Sequence, residues 1–439
     1  MEKKILHITN NDYDGAGKAV LRLNNALNEL GYKSKLLVLY KKTSTKNTFS
    51  VSSGKSLGEV IKHLLSNKVI NKRKIYFDLF FLLKAKIISL KNQLKYNPKN
   101  LFNFNNHVFS FKNLVPFIKE VDIVVFHSIQ DVLNVSDINK IHTLYKKKIV
   151  MHPLDMEMIT GGYHFSYDCN CFKTGICNSE HHNLKSLSTY NYKKKLQTLK
   201  EIPCIWVASN KYVLKRILSS KIYSKKRHSI HLIYFGMEKD RYRFYNKNYA
   251  RSNLKLDLNK KILLFGCSNF NDLRKGASII NKIINKLQSS EIDLKKILLL
   301  TYGDKRDFNV KNKNIEWVHL GNVNSSKKMN MIYRASDIML NPSIDDLGPT
   351  TVQEAFLNDL YIISFDLGLA QDLILNGYNG RIIKNFSTDN FYNEVYKKLK
   401  SIKINKINSL NKKKIQNIKR LCSKDSEAKL YISEIINVK

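Results

Sequence analysis

Apolar and polar positions along the chain fall into two alternating patterns. Short continuous apolar runs occur at "KILHIT" (4–9), "KSKLLVLY" (33–40), "VDIVVFHS" (121–128), "KKIVMH" (147–152) and "IPCIWVAS" (202–209). Runs of this length, apolar on both faces, predict strands buried inside a sheet. Between the first two lies a polar loop, "NNDYDGAGKAV", with Gly15 and Gly17. The stretch "AVLRLNNALNEL" then places Ala19, Leu23, Ala26, Leu27 and Leu30 on one helical face, and Gly31 closes it. A strand, a helix and a second strand in this order predict a parallel sheet.

A polar, turn-rich segment at 234–253 interrupts the pattern, and a second set follows. Its strand-like runs are "KKILLFGCS" (260–268), "KKILLLTYG" (295–303), "IEWVHLG" (315–321), "SDIMLNPS" (336–343) and "DLYIISFD" (359–366). The expected class is α/β with two Rossmann-like doubly wound domains. The expected boundaries are 1–235, 236–405 and a basic helical segment at 406–439, which packs back on the first domain. Such domains bind ligands at the C-terminal ends of their strands, in the cleft between them. No short internal repeat is visible.

Length and composition narrow this picture. The chain has 439 residues, enough for two or three domains with full cores. No apolar run reaches the roughly 18 residues that span a bilayer. The opening "MEKKILHITNNDYDGAG" resembles neither a leader nor an anchor, so a cytoplasmic protein is expected. The net charge of +39 invites an anionic partner, but it is spread along Lys- and Asn-rich stretches rather than held in one arm. Residues 62–100 carry ten Lys or Arg and one acid. There Phe80, Leu83, Ile87, Leu90 and Leu94 form a seam flanked by Lys84, Lys91 and Lys95. This helix suits an anionic membrane surface, or equally the flank of a sheet.

The candidate chemistry begins at "NPSIDDLGPTTVQEAF" (341–356). Asp346 falls in a loop, and Glu354 in the first turn of a helix expected to start near Thr350 or Thr351. A helix N-terminus offers free N–H groups and positive potential to a phosphate or hydroxyl. A carboxylate there can hold a vicinal diol, or simply answer the dipole. In "GCSNFNDLRKGASIINKII", Arg274 and Lys275 precede a glycine at a helix start. In "HPLDMEMITGGYHFSYDCNC", His152 closes a strand and "TGGYH" follows with His164.

These motifs, in this order, resemble the GT-B glycosyltransferases, specifically glycosyltransferase family 4. The spacing of Asp346 and Glu354, with "LGPTTVQEA" between them, looks most like members that build capsule, O-antigen and lipopolysaccharide glycans. The resemblance implies a retaining, hexosyltransferase-type enzyme working from a UDP- or GDP-sugar. It implies that Glu354 holds the ribose, Asp346 faces the sugar, and Lys275, aided by Arg274, faces the diphosphate. Gly348, Pro349, Thr350 and Thr351 would line the donor. Gly15 and Gly17 would be close-approach glycines, and His152 would sit near the reacting sugar. The family usually has Glu where this chain has Asp346, and many members have Arg where it has Asn269. The acceptor would be a growing glycan linked to undecaprenyl diphosphate, which would bring the protein to the inner face of the cytoplasmic membrane as a peripheral partner.

No metal is expected in catalysis. Cys169, Cys171 and Cys177, with His181 or its neighbour His182, could ligate a structural zinc, or form a buried thiol cluster in a loop. A GT-B nucleotide-sugar epimerase and a basic nucleic-acid-binding protein are the other readings. Scattered charge and the absence of RRM, KH, zinc-finger or helix-turn-helix signatures weigh against nucleic acid as a partner.

Overall fold

The computed structural model describes residues 3–50, 72–104, 110–306, 308–310, 314–401 and 409–438. The chain forms two compact units. The first comprises Met1–Ser209, Val213–Gly236 and Lys424–Lys439, and the second Asn210–Tyr212 and Met237–Ser423. Residues 62–71 of the basic segment lie outside the described residues.

The first unit holds a seven-stranded sheet in the order β3-β2-β1-β4-β5-β6-β7. The strands are β1 Ile5–Asn11, β2 Ser34–Tyr40, β3 Thr48–Ser50, β4 Ile123–Phe126, β5 Lys148–Met151, β6 Cys204–Ala208 and β7 His228–Leu232. Every pairing is parallel. All residues of β4 and β6 are buried, as strands covered on both faces require. The helix Gly15–Glu29 is capped by Asp14, whose Oδ1 accepts the Gly17 N–H at 2.6 Å. Its Leu23, Ala26 and Leu27 share a core with Ile5, Val125, Val150 and Val207. Ala428, Tyr431, Ile435 and Ile436 join that same core.

The second unit holds a six-stranded sheet, β10-β9-β8-β11-β12-β13. Its strands are β8 Lys261–Asn269, β9 Ile297–Asp304, β10 Glu316–His319, β11 Ile338–Asn341, β12 Tyr361–Phe365 and β13 Gly380–Ile383, again all parallel. The helix Ala277–Gln288 buries Ile280, Ile283, Ile284 and Leu287 against Leu263, Leu299 and Ile363.

In each sheet the chain order reverses beside the first strand, between β1 and β4 and between β8 and β11. Loops leaving the C-terminal ends of such a strand pair diverge and leave a crevice, the usual ligand position in doubly wound sheets.

Three strands, β3, β7 and β13, are absent from the apolar runs of the sequence, and all three are sheet edges. The last stretch is not one segment. The helix Ser409–Leu421 belongs to the second unit, and Lys424–Tyr431 to the first. The helix Lys72–Tyr96 leaves its apolar seam exposed, with Phe80 69% and Leu94 86% accessible. No helix among the described residues is long and apolar enough to cross a membrane.

Candidate active site

The densest candidate chemistry of the second unit sits at the β8/β11 reversal. After β8, Asp272 caps a short turn, Leu273–Lys275, by accepting the Arg274 N–H. Gly276 follows with φ +72°. A Cβ there would stand 2.1 Å from the Pro342 carbonyl oxygen, so only glycine lets this loop reach the one after β11. The two loops are tied directly, since Ile344 N–H donates to the Arg274 carbonyl at 2.8 Å.

That contact brings Lys275 and Asp346 together as an ion pair. Asp346 also accepts the Gly348 N–H at 3.0 Å. Burial would raise its pKa, but the Lys275 ammonium and the Gly348 N–H hold it below the usual carboxylate range. Gly368, at φ +53°, packs behind this loop, where a Cβ would stand 2.9 Å from the Asp346 and Leu347 carbonyls. Arg274 donates to Asp272 and, at 3.3 Å, to the Asp345 carbonyl, and its charge also helps lower the Asp346 pKa.

The helix Thr350–Leu357 starts after Pro349, and no side chain caps it. Pro349 supplies no capping side chain beside half-buried Thr350 and Thr351, and the Val352 N–H turns back to the Pro349 carbonyl at 3.0 Å. Glu354 lies beyond the first turn, one step deeper than its spacing suggested. It is 7% accessible and is not a simple dipole acid. One carboxylate oxygen accepts from Arg241 Nη1 at 3.0 Å, the other from the Tyr333 hydroxyl at 2.8 Å. Tyr302 and Tyr333 hydroxyls meet at 2.6 Å, extending the chain inward. Burial and the Glu354 charge push the Tyr333 pKa well up, so Tyr333 stays a donor. Arg241, Tyr302 and Tyr333 escaped the sequence reading because they are remote in the chain and belong to no local motif.

The remaining candidates belong to the first unit. Gly17 is buried with its Cβ position 2.2 Å from the Asn11 carbonyl, so the strand-to-helix turn itself demands glycine. Gly15 has open space around it. His152 follows β5 and is fully buried. Its Nδ1 pairs with the Tyr431 hydroxyl at 2.8 Å, and its ring stacks on Phe235. Beside it His7 Nδ1 meets His127 Nε2 at 2.9 Å. Burial pushes His7 and His152 down to about 3 and also lowers His127, so all three imidazoles are neutral. His164 differs. Burial opposes its charge, but Asp155, 2.7 Å away, more than offsets this and raises its pKa. Cys169, Cys171 and Cys177 gather with His182, while His181 lies outside, stacked on Tyr167.

Residues 260–401 match the family model described as glycosyl transferases group 1. That span contains Lys275, Asp346 and Glu354. The fold resembles a glycosyltransferase from Rickettsia africae (15% identity, TM-score 0.59, 100% of both chains). It also resembles Anabaena Alr3699/HepE, solved with UDP and glucose (12%, 0.62, 100% of both chains). A third is WaaG, described as a glycosyltransferase of lipopolysaccharide biosynthesis (13%, 0.58, 98% of this chain and 100% of that one). The fold is GT-B. Family match and fold together support a glycosyltransferase. No curated protein matches the chain. In this GT-B protein the family match falls on the unit whose strand reversal gathers Lys275, Asp346 and the uncapped helix start.

Proposed function

We propose that this protein is a retaining glycosyltransferase that moves a sugar from a nucleotide-sugar donor to a growing bacterial surface glycan. The observation carrying the reading is the β8/β11 reversal, where the Lys275–Asp346 pair adjoins an uncapped helix N-terminus and leads to Glu354. Lys275 and the helix N–H groups suit a diphosphate. Glu354, held by Arg241 and Tyr333, retains lone pairs for a ribose diol. In the reaction the bond from the anomeric carbon to the donor phosphate breaks, and a bond to the acceptor oxygen forms on the same face. The acceptor proton passes to the departing diphosphate, whose charge Lys275 stabilises. No protein nucleophile is required.

A UDP-sugar is the first donor to try, since HepE was solved with UDP and with UDP-glucose. The surface-glycan acceptor draws on the motif resemblance and on WaaG's described role in lipopolysaccharide biosynthesis.

The test is thermal unfolding with UDP, GDP, CMP and ADP, alone and as sugar conjugates. A nucleotide at about 100 times its Kd stabilises the fold by roughly 2.7 kcal/mol. The shift should appear with one nucleoside diphosphate and vanish in Lys275→Ala. With the matching donor, Lys275→Ala should lower kcat about 100-fold, by analogy with loss of one transition-state donor. No response to any nucleotide would overturn the reading.

The exposed seam of Phe80, Leu83, Ile87, Leu90 and Leu94, with exposed Lys84, Lys91 and Lys95 nearby, supports docking on an anionic membrane. Co-sedimentation should be stronger with anionic than with zwitterionic vesicles and weaker in Ile87→Asp/Leu90→Asp. Equal binding to both vesicle types, or none, would sink the membrane contact.

A further inference from the structure

Between β5 and the helix Lys185–Leu199 the chain has little regular structure. The turn Glu157–Ile159 and the short helix Cys171–Thr174 are its only regular elements from residue 152 to residue 184. Connections beyond about 12–15 residues without their own secondary structure are uncommon in compact domains. Yet much of this one is buried, including Met156, Met158, Ile159, Tyr163 and Phe172. Regular backbone ladders order little of it, so side-chain contacts must hold most of it, among them the buried Lys195–Glu157 pair.

The middle of the segment supplies another set. Cys169, Cys171, Cys177 and His182 are 2%, 1%, 4% and 1% accessible. One ligand atom from each lies within 4.8 Å of all the others. The Cys169 and Cys177 sulfurs are 3.7 Å apart, and Cys177 Sγ is 3.0 Å from His182 Nδ1. A tetrahedral zinc with bonds of about 2.0–2.3 Å sets neighbouring ligand atoms roughly 3.5–3.8 Å apart. The sulfur pair already meets that spacing, and the sulfur–nitrogen pair needs to open slightly.

The imidazole is prepared for the task. His182 Nε2 lies 2.9 Å from the Phe165 carbonyl, which can only accept. The ring proton therefore sits on Nε2 and the Nδ1 lone pair faces the sulfurs. A second ring nitrogen donating to a carbonyl is the usual support of a metal-bound histidine. All six cysteines of the chain are free.

We propose that Cys169, Cys171, Cys177 and His182 bind one zinc ion in a closed structural site that staples the 152–184 segment. Three thiolates and an imidazole fill all four positions, which suits structural zinc and leaves none for a substrate. The staple reaches the Gly161-Gly162 turn through Tyr163. Its ring stacks on His182 with centroids 3.6 Å apart, and its hydroxyl accepts the Leu184 N–H at 2.6 Å. The four ligands include none of the residues given to glycosyl transfer above, so neither reading depends on the other.

The experiment is metal analysis of the full chain purified without chelator and after zinc reconstitution. About one zinc per chain is expected. Zinc should be lost in Cys177→Ser and in His182→Ala but kept in His181→Ala. Should the first two variants fail to fold, cobalt(II) exchange into the unaltered chain decides. Tetrahedral thiolate ligation then shows as sulfur-to-cobalt charge transfer with intense visible bands. Three results would overturn the proposal: no zinc even after reconstitution, zinc retained in Cys177→Ser/His182→Ala, or a disulfide within the cluster that lowers the thiol count of the denatured, unreduced chain below six.

Discussion

Lys195→Met should cost the first unit about 3–5 kcal/mol of stability, the usual range for removing one partner of a buried ion pair. Lys195 and Glu157 have side chains 1% and 2% accessible, and Nζ lies 2.5 Å from Glu157 Oε1. Asn103 Nδ2 donates to the same oxygen at 2.9 Å. Glu157 Oε2 has no partner among the described residues. Without Lys195 the carboxylate would stay in a low-dielectric site with one neutral donor, or take up a proton. Either course forfeits the pair's attraction while the desolvation cost remains. The pair also joins two elements, because Glu157 precedes the Gly161-Gly162 turn and Lys195 sits on the helix Lys185–Leu199. Ser188 of that helix presses on Gly161, where a Cβ would stand 1.8 Å from its carbonyl oxygen.

Urea unfolding can be read for this unit alone. Of the two tryptophans, Trp206 lies in the first unit and Trp317 in the second. A Trp317→Phe background therefore leaves fully buried Trp206 as reporter. Lys195→Met/Glu157→Met should recover most of the loss, because neither charge is then buried. A single-variant cost under about 1 kcal/mol, the scale of exposed pairs, would show that water reaches this carboxylate.

The contrast between the Gly276 loop and the Glu354 cluster shows what a sequence can reveal of such a site. Loops after β8 and β11 carry their chemistry in consecutive residues, so "LRKG" and "IDDLGPTTVQE" stand out as units. Glu354 also depends on Arg241, which is 113 positions away, and on Tyr333 in the last turn of the helix Ser326–Ala335. No local spacing marks those two as partners. The same limit applies to His182. Adjacent His181 has the same composition and neighbours, and only the turn through Ser179 decides which ring faces the sulfurs. The strands divide similarly. Those buried on both faces read as apolar runs, and so does the partly exposed edge β10, whereas the short edges β3, β7 and β13 carry polar residues, such as "HSIHL". Such strands are specified by the neighbour they pair with rather than by their own pattern. The alternation of strand and helix announced two doubly wound sheets because parallel sheets need covered strands and crossover helices.

Acid should destabilise the first unit through its buried imidazoles, and the sign follows from which state binds more protons. His7 and His152 have folded pKa values of about 3 against 6.5 unfolded. Below pH 6.5 the unfolded chain takes protons that the folded one refuses, so stability falls as pH falls from about 6.5 to about 3. Each histidine should cost about 2 kcal/mol between pH 7 and pH 5, and roughly as much again between pH 5 and pH 3. His127, also lowered by burial, adds to the loss.

Glu427 acts in the other direction. It is fully buried, accepts the Gly236 N–H at 2.8 Å, and burial raises its pKa to about 7. The folded state then holds a proton that the unfolded carboxylate releases above pH 4.5, so stability falls as pH rises from about 4.5 to about 7. On acidification to pH 5 this returns about 2 kcal/mol and offsets one histidine. His164, raised by Asp155, acts in the same sense as Glu427, its contribution being lost as pH rises past its folded pKa. The unaltered chain should therefore lose stability modestly from pH 7 to pH 5 and steeply from pH 5 to pH 3. Glu427→Gln keeps an acceptor for Gly236 but removes the opposing proton. Its urea midpoint, followed through Trp206, should fall from pH 7 to pH 5 by the equivalent of about 4 kcal/mol from His7 and His152, with the His127 loss added and whatever His164 returns subtracted. A flat profile for Glu427→Gln across that range would mean that the three imidazoles take up protons in the folded state, and that water or a bound anion reaches them.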